Sequence, residues 1–506
     1  MNMRRLLPHA MAPLLAAGLL TTSAAAQVRL SSACRPVLDP AQQPVQGTTL
    51  RMAPATYNVG SRSYTTNVYN GQFVAPTLTM QPGQQFQLSV VNNMTGTASE
   101  ADTLVTHTNF HTHGLVVTPS PNGGDNVTHI STPNGGGTQA YNFPVPAVHT
   151  QGMFWYHPHP HGVTGPQVAG GLSGALMVGS VLTYFPQFQG VRERTLLIRD
   201  MSFNFDSASV FNVNGSTCAL FPMGSGEQQL WHIGNFGANH FVNLKLRDVR
   251  TGTGVQWLLL ALDGNYLAAA TPMDSLYLPP GSRAEVIVTG PPLNQPVELY
   301  SDSVFSKSQD SVGLGYLIGT GSRTVRRAAR PAPAGVDAAL VDTLDYLMNA
   351  TDVGQQTFTY SFPDSAHGGG AAVNGKQYAP SDPPVLVPFG QVQEWTIVNG
   401  TTDLHTFHIH QTDFLVMSVN GQPANEGRLR DNIPIGVHQT SSGLAGDTVV
   451  IRFVFEPIAA GPFVFHCHVL QHEDEGMMMN VCVDDPADPN GQTQCNSLFS
   501  SQPAHH

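Results

Sequence analysis

Three stretches of this chain are variants of one another. GMFWYHPH (152–159), PVELYSDS (296–303) and GPFVFHCH (461–468) each hold an apolar, β-prone run closed by an aromatic residue and a three-residue tip. A Gly- or Met-rich run follows each one, at 171–179, 313–319 and 476–483. A second series lies upstream, as GQQFQLSVVNN (83–93), GEQQLWHIGNF (226–236) and GQVQEWTIVNG (390–400). One supersecondary unit is therefore used three times, and it is built of strands. The chain is expected to be all-β, with three β-sandwich domains. The histidines occur in the first and third copies and are replaced by Ser301 and Ser303 in the second. This places the chemistry in domains one and three and makes the middle one a spacer or a wall.

Composition agrees. The 506 residues suffice for three domains of about 150 residues, and 50 Gly with 38 Pro and 11% charged residues favour short strands joined by turns. The segment GSRTVRRAARPAPAG (321–335) lacks strand alternation and reads as a linker. The expected layout is domain one at 27–182, domain two at 183–322, a linker at 323–337 and domain three at 338–506. Residues 1–26 read as an export signal, with Arg4 and Arg5, an Ala/Leu run and a cleavage site at Ala24–Ala26. The paired arginines resemble a twin-arginine signal. The apolar run is too short for stable membrane insertion, so a periplasmic or secreted protein is expected. A net charge of −12 argues against a nucleic-acid partner, which needs a basic face.

Four clusters carry candidate metal ligands: FHTHG (His111, His113), WYHPH (His157, His159), LHTFHIH (His405, His408, His410) and HCHVLQHEDEGM (His466, Cys467, His468, His472, Met477). Side chains two apart share a strand face and neighbours oppose one another. The even-spaced pairs thus offer eight imidazoles to one site between domains one and three. His405 and Cys467 fall out of phase and converge with His472 and Met477 on a second site. One thiolate, two imidazoles and a thioether suit copper, the blue-copper ligand set, whereas zinc sites rarely combine so many histidines with a methionine. A single H-x-H is an ordinary feature of half-buried turns; four clusters in phase are not. If Cys467 binds metal, Cys34, Cys218, Cys482 and Cys495 are left, with three possible pairings into two disulfides.

In this order and spacing the four clusters resemble those of the multicopper oxidase family, in its three-domain bacterial laccase-like form. The resemblance implies three cupredoxin-like Greek-key β-sandwiches holding four copper ions. His405, Cys467 and His472 would bind the type 1 ion, with Met477 axial. His111 and His408 would bind type 2. His113, His157 and His468 would bind one type 3 ion, and His159, His410 and His466 the other. The implied reaction couples one-electron oxidation of phenols or aromatic amines to four-electron reduction of O₂ to water. Glu473 and Asp125 resemble the family's acids near the trinuclear cluster and are the expected proton-relay residues. An axial thioether favours a lower potential, hence easily oxidised substrates such as methoxyphenols, aminophenols and aromatic diamines. Members specialised for cuprous ion carry a methionine-rich insertion between the third and fourth clusters, where this chain has only Met417. Glu473, Asp474 and Glu475 beside His472 keep open a metal-ion reductant (Cu(I), Mn(II) or Fe(II)), and a bilirubin-type pigment or a non-catalytic copper-binding role are further alternatives.

Overall fold

The computed structural model describes residues 30–60, 62–95, 106–133, 135–201, 210–304, 311–321, 338–363, 370–424 and 426–484. The expected export signal, the linker and Cys495 lie outside the described residues.

The threefold repeat is visible in the pairing of the strands. Gly152–His157, Val297–Asp302 and Gly461–Cys467 each run antiparallel to the strand that follows them in the repeat, Gly174–Val178, Val312–Thr320 and Met478–Asp484. The upstream strands Gln85–Asn92, Gln228–Asn235 and Val392–Asn399 each run parallel to an earlier strand, namely Thr48–Val59, Arg192–Met201 and Val353–Ser361. Parallel neighbours cannot be joined by a hairpin, so each connection crosses to another sheet and returns. Each unit thereby closes into a two-sheet sandwich. The sheets number four and five strands in the first, six and seven in the second, and seven and five in the third.

Each sandwich encloses its own core. Phe86 stacks on Phe143 with centroids 4.6 Å apart in the first. Trp231 and Trp257 fill the second, and Trp395, Phe407 and Phe465 the third. Cys467 and Met477 belong to that third core and are completely buried. Arg35–Pro36 adds to a sheet of the second sandwich beside Ala219, and the adjacent Cys34 is bonded to Cys218 across 184 residues. Closing a loop that long stabilises the fold by roughly 5 kcal/mol in the chain-entropy account. Cys482 is also disulfide-bonded, and Cys467 is a free, buried thiol.

A buried ionic latch joins the first two sandwiches. His232 places Nδ1 2.6 Å from Glu285 Oε1 and Nε2 3.0 Å from Glu193 Oε2, and Glu285 Oε2 accepts the Met153 N–H at 3.2 Å. Burial opposes a charge on His232, but the hydrogen bonds to both carboxylates overcome it and push its pKa up to about 9 from 6.5. Because the folded value is raised, the stabilisation is complete below the unfolded value and is lost as pH rises through about 9. The midpoint of thermal unfolding should fall by a few degrees from neutral pH to pH about 9.5. His232→Gln should flatten that slope while lowering stability at neutral pH; an unchanged slope would remove the latch from the account.

Candidate metal centre

Strand pairing brings the histidines together two at a time. His111–His113 lies antiparallel to Gly152–His157, with His111 opposite His157. His405–Ile409 lies antiparallel to Gly461–Cys467, with His408 opposite His466 and Phe407 opposite Cys467. The two strand pairs, one from the first sandwich and one from the third, meet face to face. His113 stacks on His408 at 3.8 Å and His111 on His410 at 4.1 Å. Among the described residues four groups place all their donor atoms within 4.8 Å of one another: His111, His113 and His408; His113, His157 and His468; His159, His410 and His466; and His405, Cys467 and His472.

The imidazoles are arranged as ligands rather than as hydrogen-bonded core residues. His157 Nδ1 lies 2.8 Å from the Pro158 carbonyl and His408 Nδ1 2.7 Å from the Asp431 carbonyl. A carbonyl only accepts, so each Nδ1 carries the proton and each Nε2 keeps a bare lone pair. Those Nε2 atoms, with that of His111, are buried and without a hydrogen-bond partner. Across the site His159 Nε2 lies 3.0 Å from His466 Nε2, His410 Nε2 3.3 Å from the same atom, and His468 Nε2 3.2 Å from His113 Nδ1. Two nitrogens bound to one ion at the usual bond lengths sit about 3.4 Å apart. Burial first, and repulsion among the rings second, hold His113, His157, His408, His410 and His468 well below the ordinary imidazole value. They are neutral and able to donate lone pairs, so the set fits copper ions.

The second site is built around Cys467 Sγ, which lies 3.7 Å from His405 Nδ1 and 3.7 Å from His472 Nδ1. Sγ accepts the Thr406 N–H at 3.5 Å, and Thr401 Oγ1 pairs with His405 Nε2 at 2.8 Å, which leaves Nδ1 for the sulfur side. Met477 is held close by main-chain bonds, its N–H donating to His472 C=O at 2.8 Å and its C=O accepting from Cys467 N–H at 2.9 Å. Burial pushes the Cys467 thiol up to about 12. The thiolate at neutral pH therefore requires a cation, and binding releases a proton.

A short helix, Leu470–Asp474, separates residues that the strand period does not. Consecutive helical side chains point about 100° apart. His472 turns toward Cys467, while Glu473 turns to the eight-histidine site, Oε1 3.4 Å from His159 Nδ1 and Oε2 3.0 Å from His466 Nδ1. Asp474 turns elsewhere again and accepts the Thr164 and Gly165 N–H groups at 2.9 and 2.7 Å. The three carboxylates expected beside His472 are thus dispersed, and of them only Glu475 borders the cleft at that ring. Asp125 lies against the first cluster, with Oδ1 3.1 Å from His111 Nδ1 and Oδ2 accepting from Thr112 Oγ1 at 2.8 Å. His161, which extends the alternation of the second cluster, packs on Tyr378 at 4.8 Å and joins none of the four groups. Sequence reading missed Thr401 and Asp431, since neither sits in a motif and both act through contacts the tertiary fold makes.

His472 is the half-buried member of its group. Its ring borders a cleft of about 360 Å³ lined by Phe241, Val304, Phe362 and Leu404 and, over more of its surface, by the polar Asn239, His240, Asp403, Gln471 and Glu475. No described helix is long and apolar enough to cross a membrane.

Residues 51–181 and 343–487 each match a family model described as Multicopper oxidase. The multicopper oxidase mco of Staphylococcus aureus is 24% identical over 433 residues, covering 82% of this chain and 83% of that one. A laccase of Haloferax volcanii is 25% identical over 424 residues, covering 74% and 67%. The solved structure of a multicopper oxidase from Campylobacter jejuni, described as a metallo-oxidase, superposes with a TM-score of 0.68 at 21% identity, covering 89% of this chain and 96% of that one.

Proposed function

The chain belongs to the multicopper oxidase family, and from that premise we propose that it is a laccase-like oxidase of phenols and aromatic amines, exported to the periplasm or beyond. Four copper ions are assigned: type 1 at His405, Cys467, His472 and Met477, type 2 at His111 and His408, and a type 3 pair at the two remaining histidine triads. Copper at these positions supplies one-electron oxidation of the reductant and four-electron reduction of O₂ to two waters. The observation that carries the reading is covalent. His466, Cys467 and His468 are consecutive, so the sulfur of one site is joined by a few backbone bonds to rings of both type 3 triads.

The residues divide the remaining work. His472 is the ring the reductant approaches, and the open cleft beside it offers Phe241, Phe362 and Leu404 to an aromatic face. Glu473 and Asp125 each touch ligand rings and are assigned to hold and pass protons at the oxygen side. The dispersal of Glu473 and Asp474 away from the cleft favours an aromatic reductant over a metal ion. Asp403 and Glu475, which remain there, sustain metallo-oxidase activity as the second reading.

Oxygen uptake by the copper-loaded protein, offered 2,6-dimethoxyphenol and Cu(I) in parallel, decides between them. Fast uptake with the phenol and no hydrogen peroxide is expected. Uptake with Cu(I) alone would transfer the assignment to the metallo-oxidase reading, and no uptake with either would end the oxidase assignment.

A further inference from the structure

The second sandwich supplies none of the assigned ligands, yet one of its side chains reaches the eight-histidine site. Arg283 opens strand Arg283–Thr289 and is completely buried. Its guanidinium forms a two-pronged pair with Asp431 of the third sandwich, Nη1 donating to Oδ1 at 2.8 Å and Nη2 to Oδ2 at 2.6 Å. Nε donates at 3.4 Å to the carbonyl of Met153, on the first-sandwich strand that ends at His157. Nη1 also donates to the Gly281 carbonyl at 3.2 Å. One cation therefore ties all three sandwiches, which a planar fork of five donors can do and a compact ammonium cannot.

Asp431 carries that constraint to the ligands. Its carbonyl accepts His408 Nδ1–H at 2.7 Å, and its Oδ1 lies 3.5 Å from His113 Nε2. The adjacent Asn432 donates Nδ2 to the Pro280 carbonyl at 2.8 Å, which seats the 279–283 turn on the cluster. Two glycines make room for this approach. A Cβ on Gly281 would lie 3.0 Å from His468 Nε2. A Cβ on Gly114, which follows His113 at φ +88°, would lie 2.6 Å from Arg283 Nη2. The turn and the ion pair are thus packed to contact against three of the rings.

We propose that Arg283 is a positioning residue for the trinuclear cluster. It fixes Asp431, and Asp431 fixes the orientation of His408 and His113, so that the domain without ligands sets the geometry of the oxygen site. This rests on the ligand assignment above.

The test loads wild type, Arg283→Lys and Arg283→Met with copper, titrates each with a chelator and follows the type 1 and type 2 electron paramagnetic resonance signals separately. Lysine keeps the charge and loses the two-pronged geometry. The type 1 signal, a reporter of an intact third sandwich, should persist, while affinity for the type 2 ion falls about 10–100-fold, the usual loss on removing an outer partner of a metal-bound histidine. Wild-type type 2 affinity in Arg283→Lys would overturn the proposal. So would loss of both signals in step in that variant, which would assign Arg283 a general folding role. If Arg283→Met does not fold, Arg283→Lys decides alone. Absence of type 2 copper in the wild type is a separate result and would overturn the ligand assignment instead.

Discussion

Cys467→Ser should reduce oxidation of every reductant to background while the protein stays folded and the eight-histidine site still binds copper. The substitution exchanges sulfur for oxygen at nearly constant shape in the core of the third sandwich. The new hydroxyl can accept the Thr406 N–H that Sγ now accepts, so the cost to folding is limited to about 1–3 kcal/mol for an imperfectly satisfied buried hydroxyl. The cost to the site is of another kind. A hydroxyl is a hard, protonated donor and does not replace a soft thiolate toward copper. His405 and His472 keep their places, but the charge that neutralises the ion is gone. Activity, the visible charge-transfer band and the type 1 resonance should vanish together, with the type 2 resonance retained. Turnover above background in a variant lacking the type 1 signal would refute the assignment of that site as the entry point for electrons.

The second large effect is expected at Glu473. Its carboxylate is completely buried between His159 and His466, where burial opposes ionisation but the two imidazoles overcome it and hold the carboxyl below the usual range. Glu473→Gln preserves volume and one acceptor oxygen and removes the capacity to carry a proton. Turnover should fall about 10²–10⁴-fold, the range for a lost general acid or base, with copper content and the type 1 signal unchanged. The deficit should widen as pH rises, because protons from solvent become scarcer. Steady-state turnover across pH checks this; an unaltered turnover profile would remove Glu473 from proton delivery.

The two substitutions act on residues only six positions apart, and the contrast between them marks where sequence reading stops. The β class, the three sandwiches and the opposition of Cys467 to His466 and His468 follow from local covalent geometry. A strand alternates every residue, so H-x-H and H-C-H announce which side chains share a face wherever the strand lies in the molecule. The strand period does not extend past His468. HEDE reads as three acids beside one histidine, but the chain has turned into a helix at Leu470, and His472, Glu473 and Asp474 serve three different surroundings. Nothing in those four letters signals the change of period.

The grouping of the eight imidazoles lies further from local rules. His159 joins His410 and His466, and not its near neighbour His157, because two strand pairs some 300 residues apart in the chain are pressed together by the packing of whole sandwiches. Asp431 and Arg283 lie further still, for their pair exists only where three sandwiches meet. The sequence by itself determined the chemical identity of the donors, the strand phase that divides them between two sites, and the β-sandwich architecture, since each depends on residue type and on a repeat a few ångströms long. Which rings share an ion and which acids lie near them was implied only by the family resemblance of the four clusters; the tertiary structure supplied the distances among them and alone decided how the middle sandwich reaches them, since these depend on interfaces that no local spacing encodes.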